Sequence, residues 1–403
     1  MIKRTDLLNK ISGFIDKDII KVLTGLRRCG KSVFLSQIQE MLLERGVDPE
    51  NIISFNFEDM SNDHLLDAVS LHKEVKKRVS GKKGKIYLFF DEIQEVNEWE
   101  RCVNSFRVEF DSDIYVTGSN AKLLSGELAT LLTGRYIEIK VYPFSFSEFI
   151  EISSPVLKNF SKSELFRKYI VSGGMPFLSN LEFEKEISFQ YLSDVFNSVL
   201  LKDVVKRNKI RDVDLLGRIV QFVLANIGNT FSSTSISKYF KSEKRTVAPE
   251  TILNYIKACE EAFLFHKVLR EDILGKKILQ ISEKYFVADH GIRESVYGNN
   301  EKDINLILEN IVFFEMLRRG YKINIGKVNN EEIDFVCRKH NETVYIQVAY
   351  LLSSEETIKR EFGVLNKVPD NYPKLVLSMD QFDFSRNGIK HIYIPDFLTD
   401  NKF

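Results

Sequence analysis

Apolar positions in the first 145 residues fall into short runs separated by helix-like stretches. The runs are "DIIKVLTG" (18–25), "NIISFNFED" (51–59), "KIYLFFDE" (85–92), "DIYVTGS" (113–119) and "RYIEIKVYP" (135–143). Each is rich in β-branched and aromatic residues, as strands are, and amphipathic segments such as "KSVFLSQIQEMLLERG" lie between them. Continuous apolar strands alternating with helices predict an α/β fold: a mostly parallel sheet covered by helices on both faces. The pattern changes at "EISSPVLKNFSKSE", which reads as a linker, and is nearly all helical from there to about residue 270. Strand character returns in "KILQISEKYFVAD" (277–289). The last hundred residues mix a helix, "LILENIVFFEMLRRG" (306–320), with strands "EEIDFVCRK" and "TVYIQVAYLL". Four regions follow: 1–150, a helical lid or linker at 151–210, 211–295 and 296–403.

Composition narrows this picture. With 403 residues, 44% of them hydrophobic, the chain is long enough for two to four cores. Its 57 basic and 57 acidic side chains cancel, so any polyanion site is local and not a property of the whole surface. Cys29, Cys102, Cys259 and Cys337 form no CxxC pair, which argues against a zinc site or a disulfide framework and fits a reducing compartment. Charges interrupt every apolar run, so a membrane span or a secretory leader is not expected, and a cytoplasmic protein is.

Within the first region, "GLRRCGKS" follows a strand and opens a helix, the context in which GxxxxGK[ST] binds phosphate. Gly25 and Gly30 let the backbone wrap the phosphates with its N–H groups, and the helix N-terminus adds a favourable dipole. Lys31 is expected to reach the β and γ phosphates of ATP, and the Ser32 hydroxyl to bind Mg2+. The loop from Gly25 through Arg27, Arg28, Cys29 and Gly30 to Val33 is expected to line the nucleotide. About sixty residues on, "IYLFFDE" ends an apolar run in two acids: Asp91 is expected to hold the magnesium and Glu92 to orient and deprotonate the attacking water. The next strand ends in "TGSN", which offers Thr117, Ser119 and Asn120 as γ-phosphate sensors at the carboxyl edge where open α/β sheets bind ligands. Any one of these three also reads as an ordinary turn residue.

Phosphoryl transfer also calls for an arginine, because charge develops on the γ-phosphate. Arg135, which opens the strand after the sensor turn, is the first choice for this role, beside a surface arginine capping a turn as the plainer reading. Cys29, among backbone N–H groups and beside two arginines, is expected to have a depressed pKa and to be protected from alkylation by bound ATP.

These residues resemble a known family. "GLRRCGKS", "FFDEIQEVNEWE", "TGSNAKLLSGE", "LTGRY" and "YPFSFSEF" are similar to the AAA-type P-loop ATPase module of a large group of bacterial and archaeal proteins. In that group the module precedes a C-terminal region of unknown function. The resemblance continues through "GGMP", "LKDVVKRNKIRD", "GNTFSSTSISKYF", "YIKACEEAFLFHKV" and "EKYFVADHGIR" to "EIDFV" and "YIQVAY". It implies nucleotide binding, a winged-helix-like middle and a small α/β domain similar to the PD-(D/E)XK nucleases.

The middle, "STSISKYFKSEKRTVAPETILNYIKACEEAFLF", reads as a helix, a turn and a second helix. In a DNA reader Thr251, Asn254 and Tyr255 would face bases, and Lys238, Lys241, Lys244 and Arg245 would face phosphate. Glu243, Glu250, Glu260 and Glu261 dilute that patch, and winged helices serve as protein-contact modules too. In the last region the resemblance puts Glu309 and Asp334 at acid positions, but Gln347 stands where the second acid of the nuclease motif belongs and Ala349 where its lysine belongs. Lys359, with Glu355 or Glu356, is the nearest substitute in sequence; cleavage is not expected.

The resulting expectation is an ATP- and Mg2+-dependent ATPase that acts as a nucleotide-controlled switch on its own C-terminal domains. Two alternatives stay open: a DNA-acting enzyme whose ATPase gates a nuclease, and a nucleotide-dependent scaffold for a protein partner. ATP and ADP are the expected ligands, with weak DNA binding through the winged helix in the DNA-acting case, and no membrane.

Overall fold

A computed structural model describes residues 2–119, 134–275, 277–298 and 303–400. The chain divides into two compact units, Met1–Tyr142 with Glu261–Phe263, and Pro143–Glu260 with Leu264–Phe403.

In the first unit the five expected apolar runs form one sheet: β1 (Ile20–Thr24), β2 (Ile52–Asn56), β3 (Ile86–Asp91), β4 (Ser112–Gly118) and β5 (Tyr136–Lys140). Their order is β2-β3-β4-β1-β5, and every neighbouring pair is parallel. Helices α1 (Thr5–Ser12), α2 (Lys31–Glu44), α3 (Ala68–Val79) and α4 (Trp99–Glu109) flank it. All residues of β1, β3 and β4 are buried, as in a sheet covered on both faces. On one face Phe55, Phe90 and Phe106 stack in sequence, with ring centroids 5.9 and 5.8 Å apart, and α3 and α4 contribute Leu71, Val75 and Val103 to the same core. Lys21 interrupts the apolar run of β1 yet is fully buried; it is tolerated because it ion-pairs with Asp113 of β4 and lies over the Tyr115 ring.

The second unit begins with helices. Two of them carry full capping boxes, Ser145 with Glu148 and Ser161 with Glu164, which satisfy orphan N–H groups at the starts of Phe146–Ser153 and Lys162–Ser172. A long helix, Lys185–Ser198, runs on as a π-helix over Val199–Lys206. Helices Val213–Ala225, Ser233–Ser242 and Pro249–Glu261 follow, the last two in the expected helix-turn-helix order.

The chain then builds a mixed sheet from β6 (Phe265–Asp272), β7 (Lys277–Val287), β8 (Lys322–Val328), β9 (Glu331–Lys339), β10 (Glu342–Val348), β11 (Lys374–Ser378) and β12 (Lys390–Tyr393). The order is β12-β11-β10-β9-β8-β6-β7. The β6–β7 hairpin therefore pairs through β6 with β8, and a single sheet runs across residue 296.

The two glycine-containing segments "GGMP" and "ADHGIR" meet in this unit. Asp289 caps the helix His290–Tyr297 by accepting the Ile292 N–H and also accepts the Gly174 N–H at 2.7 Å. A Cβ on Gly173 would lie 2.3 Å from the Asp289 carboxylate and 2.7 Å from the Gly291 nitrogen, so only glycine fits there.

Candidate functional site

The carboxyl ends of the parallel strands bring the sequence motifs together. Chain direction leaves β1 at Thr24 and turns through Gly25 to Gly30 before α2 starts at Lys31. Gly25 is required by close approach: a Cβ there would sit 2.1 Å from the Val141 carbonyl. Gly30 adopts left-handed geometry with φ 99°, and no side chain caps the helix it opens, so its first N–H groups face outward as a phosphate cradle needs. Lys31 is buried, and its ammonium donates to the Gly25 and Leu26 carbonyls at 3.2 and 3.3 Å.

β3 ends on the same edge. Asp91 and Glu92 are both 7% exposed, and Glu92 lies 3.6 Å from the Lys31 ammonium as an ion pair. Glu92 itself has left-handed backbone geometry, φ 54°, uncommon for a residue with a side chain and a local strain of the kind that gathers at functional sites. Thr117 on β4 joins the two acids: its hydroxyl donates to Asp91 at 2.5 Å and accepts the Glu92 N–H at 2.9 Å. Ser32, from the first turn of α2, also hydrogen-bonds to Asp91. Burial pushes the Asp91 carboxyl above its ordinary range; the Thr117 and Ser32 hydrogen bonds pull it down, Glu92 pushes it up and Lys31 opposes. Gln94 donates its amide to Glu92 and was not singled out from the sequence, although "DEIQ" places a polar side chain two residues beyond the acid.

The remaining expected residues divide. Arg27 is drawn to Glu58 at 2.7 Å, Arg28 is exposed with φ 67°, and Val33 is 38% exposed at the outer side of α2. Ser119 is fully buried just past the end of β4, while Asn120 lies outside the described residues.

Two expectations are corrected. Cys29 is fully buried, its thiol donating to the Val141 carbonyl at 3.1 Å, and burial pushes its pKa up despite Lys31 and Arg4 nearby, so it is not an activated thiolate. Arg135 is exposed, and its carbonyl accepts the Ile20 N–H at the opposite end of β1 from the glycine loop. The parallel register Ile20↔Tyr136 to Thr24↔Lys140 sets it at least four residues, about 13 Å, from the carboxyl edge. It is not brought to this chain's own phosphate loop.

A second polar cluster sits in the mixed sheet. Asp334 of β9 and Gln347 of β10 are buried neighbours: Gln347 accepts the Asp334 N–H at 3.2 Å, and Asp334 accepts the Val348 N–H at 2.8 Å. Lys284 of β7 ion-pairs with Glu332 at 2.6 Å and with Glu309 of the helix Ile304–Arg318 at 3.8 Å. Burial pushes the Asp334 carboxyl up to about 7, with Lys284 and the Val348 N–H opposing and Glu361 and Glu332 adding to the push; Glu309 is raised well above its ordinary range by burial and by Asp334. Lys359, Glu355 and Glu356, the substitutes nearest in sequence, are exposed on their helix. The buried lysine comes instead from Lys284, about fifty residues before β9, and the extra acid from Glu361, two residues beyond Lys359 on the same helix. Among the described residues no three of His, Cys, Asp and Glu are placed to hold a metal ion.

In the helix-turn-helix segment Lys238, Lys241, Lys244 and Asn254 are exposed and Thr251 and Tyr255 half-buried. Arg245 is not available for phosphate, because Asp212 and Asp214 hold it at 2.7 and 2.6 Å. Among the described residues no helix is long and apolar enough to cross a membrane.

The glycine loop, Asp91 and Glu92 fall within a stretch of the chain that matches a known domain. The profile of a family described as "AAA domain" matches residues 17–150, and that of a domain of unknown function, DUF8612, matches residues 163–303. An uncharacterized protein of Haemophilus influenzae is 39% identical over 399 residues, covering 99% of this chain and 98% of its own. The uncharacterized protein MJ1544 of Methanocaldococcus jannaschii is 30% identical over 94% of this chain and 85% of its own. Among solved structures, a Walker-type ATPase of Pyrococcus abyssi superposes with a TM-score of 0.53 at 15% identity, covering 73% of this chain and 96% of that one, which is a likeness of fold. The chain belongs to one family with the Haemophilus and Methanocaldococcus proteins, and its residues 17–150 form a domain similar to the AAA family.

Proposed function

We propose that the chain is a magnesium-dependent ATPase in which nucleotide state acts as a switch on the C-terminal part of the same chain. The observation that carries this reading is the convergence of Lys31, Asp91, Glu92 and Thr117 on one sheet edge, with Lys31 and Glu92 3.6 Å apart. Lys31 exchanges the Gly25 and Leu26 carbonyls for phosphate oxygens when ATP binds, and Glu92, anchored by Gln94 and Thr117, orients the attacking water and takes its proton. Ser32 and Asp91 offer the adjacent hydroxyl and carboxylate oxygens that suit magnesium, so the residues present fit that ion. When bound, it supplies neutralisation of phosphate charge. An arginine to complete the site is supplied by another group or another chain, since Arg135 lies at the far end of β5.

The switch reading is supported by a chain that carries a second compact unit besides the one with the glycine loop. A DNA-acting role is supported by the helix-turn-helix order of Ser233–Ser242 and Pro249–Glu261 followed by the β6–β7 hairpin, with Lys238, Lys241 and Lys244 exposed. Cytoplasmic residence is part of the same proposal.

The test is ATP turnover by wild type and Glu92→Gln, with and without duplex DNA. Magnesium-dependent turnover in wild type that is lost in the variant and indifferent to DNA supports the switch. Stimulation by DNA favours the DNA-acting reading, and nucleotide binding without turnover in wild type favours a scaffold.

A further inference from the structure

Within the second unit, a cavity of about 390 Å³ opens between the helices Lys162–Ser172 and Lys185–Ser198. Small-molecule sites commonly span about 300–1,000 Å³. Phe160, Val171, Phe183 and Phe189 give the cavity an apolar wall, and Phe160 is 44% exposed although large and apolar. Ser188, on the second helix, also borders it. Ser188 is 1% exposed, and its buried hydroxyl has no hydrogen-bond partner, a condition that ordinarily costs about 1–3 kcal/mol.

The charge around this cavity is one-sided. Arg167 and Lys168 from the first helix and Lys185 from the second contribute three cations to its lining. Spacing explains the first two: Glu164, Arg167, Lys168 and Val171 fall at i, i+3, i+4 and i+7, one face of a helix. Glu164 is the acid in the lining, and it is already used. Its carboxylate accepts the Ser161 N–H and hydroxyl at 2.8 and 2.7 Å, and the Ser161 hydrogen bonds, with the nearby Arg167 charge adding to them, hold its pKa below the ordinary range. Among the described residues no ion pair joins Arg167, Lys168 or Lys185 to a carboxylate. The Lys185 ammonium instead lies 5.7 Å from the Phe189 ring centroid.

We propose that this cavity binds a small amphipathic anion: an aromatic body carrying a polar atom, with one carboxylate or similar head. The body packs against Phe160, Phe183 and Phe189. The Ser188 hydroxyl takes the body's polar atom, and the head meets Arg167, Lys168 and Lys185 in charge-assisted hydrogen bonds. This site is separate from the nucleotide loop and stands whether or not the switch reading holds.

The test is calorimetric titration of the full chain, without nucleotide, using indole-3-acetate and its neutral amide as probes of one shape and two charges. The acid binds, and the amide binds at least ~10-fold more weakly. The surface double variant Arg167→Glu, Lys185→Glu loses at least ~10-fold of the affinity for the acid and keeps that for the amide. Ser188→Ala weakens both probes while its melting temperature stays at or above that of wild type, since an unsatisfied hydroxyl has been removed. Equal affinity for acid and amide, unchanged affinity in the charge-reversed variant, or no binding of either probe overturns the proposal.

Discussion

The Thr117 hydroxyl donates to the Asp91 carboxylate at 2.5 Å across the β3–β4 pair, and the same oxygen accepts the Glu92 N–H. One neutral side chain thus fixes both acids of the site. Replacing it by valine keeps the shape and removes the hydroxyl, leaving a buried carboxylate short of a donor and a buried N–H short of an acceptor. Thr117→Val is expected to lower stability by about 1–3 kcal/mol in denaturant unfolding and to cut ATP turnover by about 10-fold or more. Thr117→Ser, which keeps the hydroxyl, retains most of both; a serine variant as impaired as the valine one shows that the methyl group, not the hydrogen bond, matters.

Lys31 and Glu92 separate binding from chemistry. Lys31→Ala removes a buried ammonium that reaches the loop carbonyls and is expected to abolish nucleotide binding in equilibrium titration. Glu92→Gln keeps binding and loses at least ~10²-fold of turnover, the usual contribution of a positioned base. Turnover comparable to wild type in the glutamine variant assigns the base elsewhere.

Cys29 answers to burial and not to its neighbours in sequence. Its thiol is fully enclosed and bonded to the Val141 carbonyl, and burial holds its pKa up. Iodoacetamide at neutral pH is therefore expected to label Cys29 at least ~10-fold faster in denaturant than in the folded chain, with or without ATP, as read by mass spectrometry of its peptide. Rapid labelling of the native protein that ATP suppresses restores an open, reactive loop.

Much of the arrangement at the carboxyl edge of the parallel sheet was legible because it is local. "GLRRCGKS" carries its strand, turn and helix start within a dozen residues, and the two acids end an apolar run that only a buried strand explains. Arg135 was misplaced although the expected parallel sheet already implied the answer: a residue that opens a strand parallel to β1 lies at the edge opposite the loop that follows β1. Arg245 was read as a phosphate contact because Asp212 and Asp214 reach it from 31 to 33 residues away. Lys284 went unnoticed because β7 is far from β9 in the sequence and joins it only through the sheet, and Glu361 because the sequence does not say which face of the helix Glu355–Asn366 is buried.

For the helix-turn-helix segment, the pairing of Arg245 leaves Lys238, Lys241 and Lys244 as exposed cations. If DNA is the partner, three phosphate contacts imply a slope of log K against log salt of about −2.7, with little sequence preference. Lys241→Glu with Lys244→Glu should bring the slope to about −0.9. A fluorescence anisotropy series in which the double variant binds duplex DNA as wild type does makes this segment a protein-contact module.

The cluster around Asp334 is expected to act through stability and not through cleavage of DNA. A metal-dependent hydrolase needs ionised carboxylates turned toward the cation. Here Asp334 is bonded to the Val348 N–H, Gln347 is spent on the Asp334 N–H, and Lys284 is held by Glu332 and Glu309. Burial alone would lower the Lys284 pKa, but Glu309, Asp334 and Glu332 outweigh it and keep the lysine charged. At Asp334 burial prevails, and its pKa rises as well, from 3.8 up to about 7, which favours the neutral acid. A carboxyl whose folded pKa exceeds its unfolded one binds more protons in the folded state between those two values. Its stabilising contribution is therefore full below about pH 4 and is lost as pH rises through about 7, with a slope of at most about 1.4 kcal/mol per pH unit. Asp334→Asn, neutral at every pH, should flatten this part of the stability profile and leave the protein at least as stable as wild type at pH 8. Denaturant unfolding from pH 4 to 8 reads this directly. Incubation of wild type with plasmid DNA, magnesium or manganese, and ATP provides the independent check. Cleavage that disappears in Asp334→Asn but persists in Lys31→Ala makes the cluster a nuclease site; intact plasmid together with a flattened profile in the asparagine variant makes it a buried, proton-holding part of the sheet.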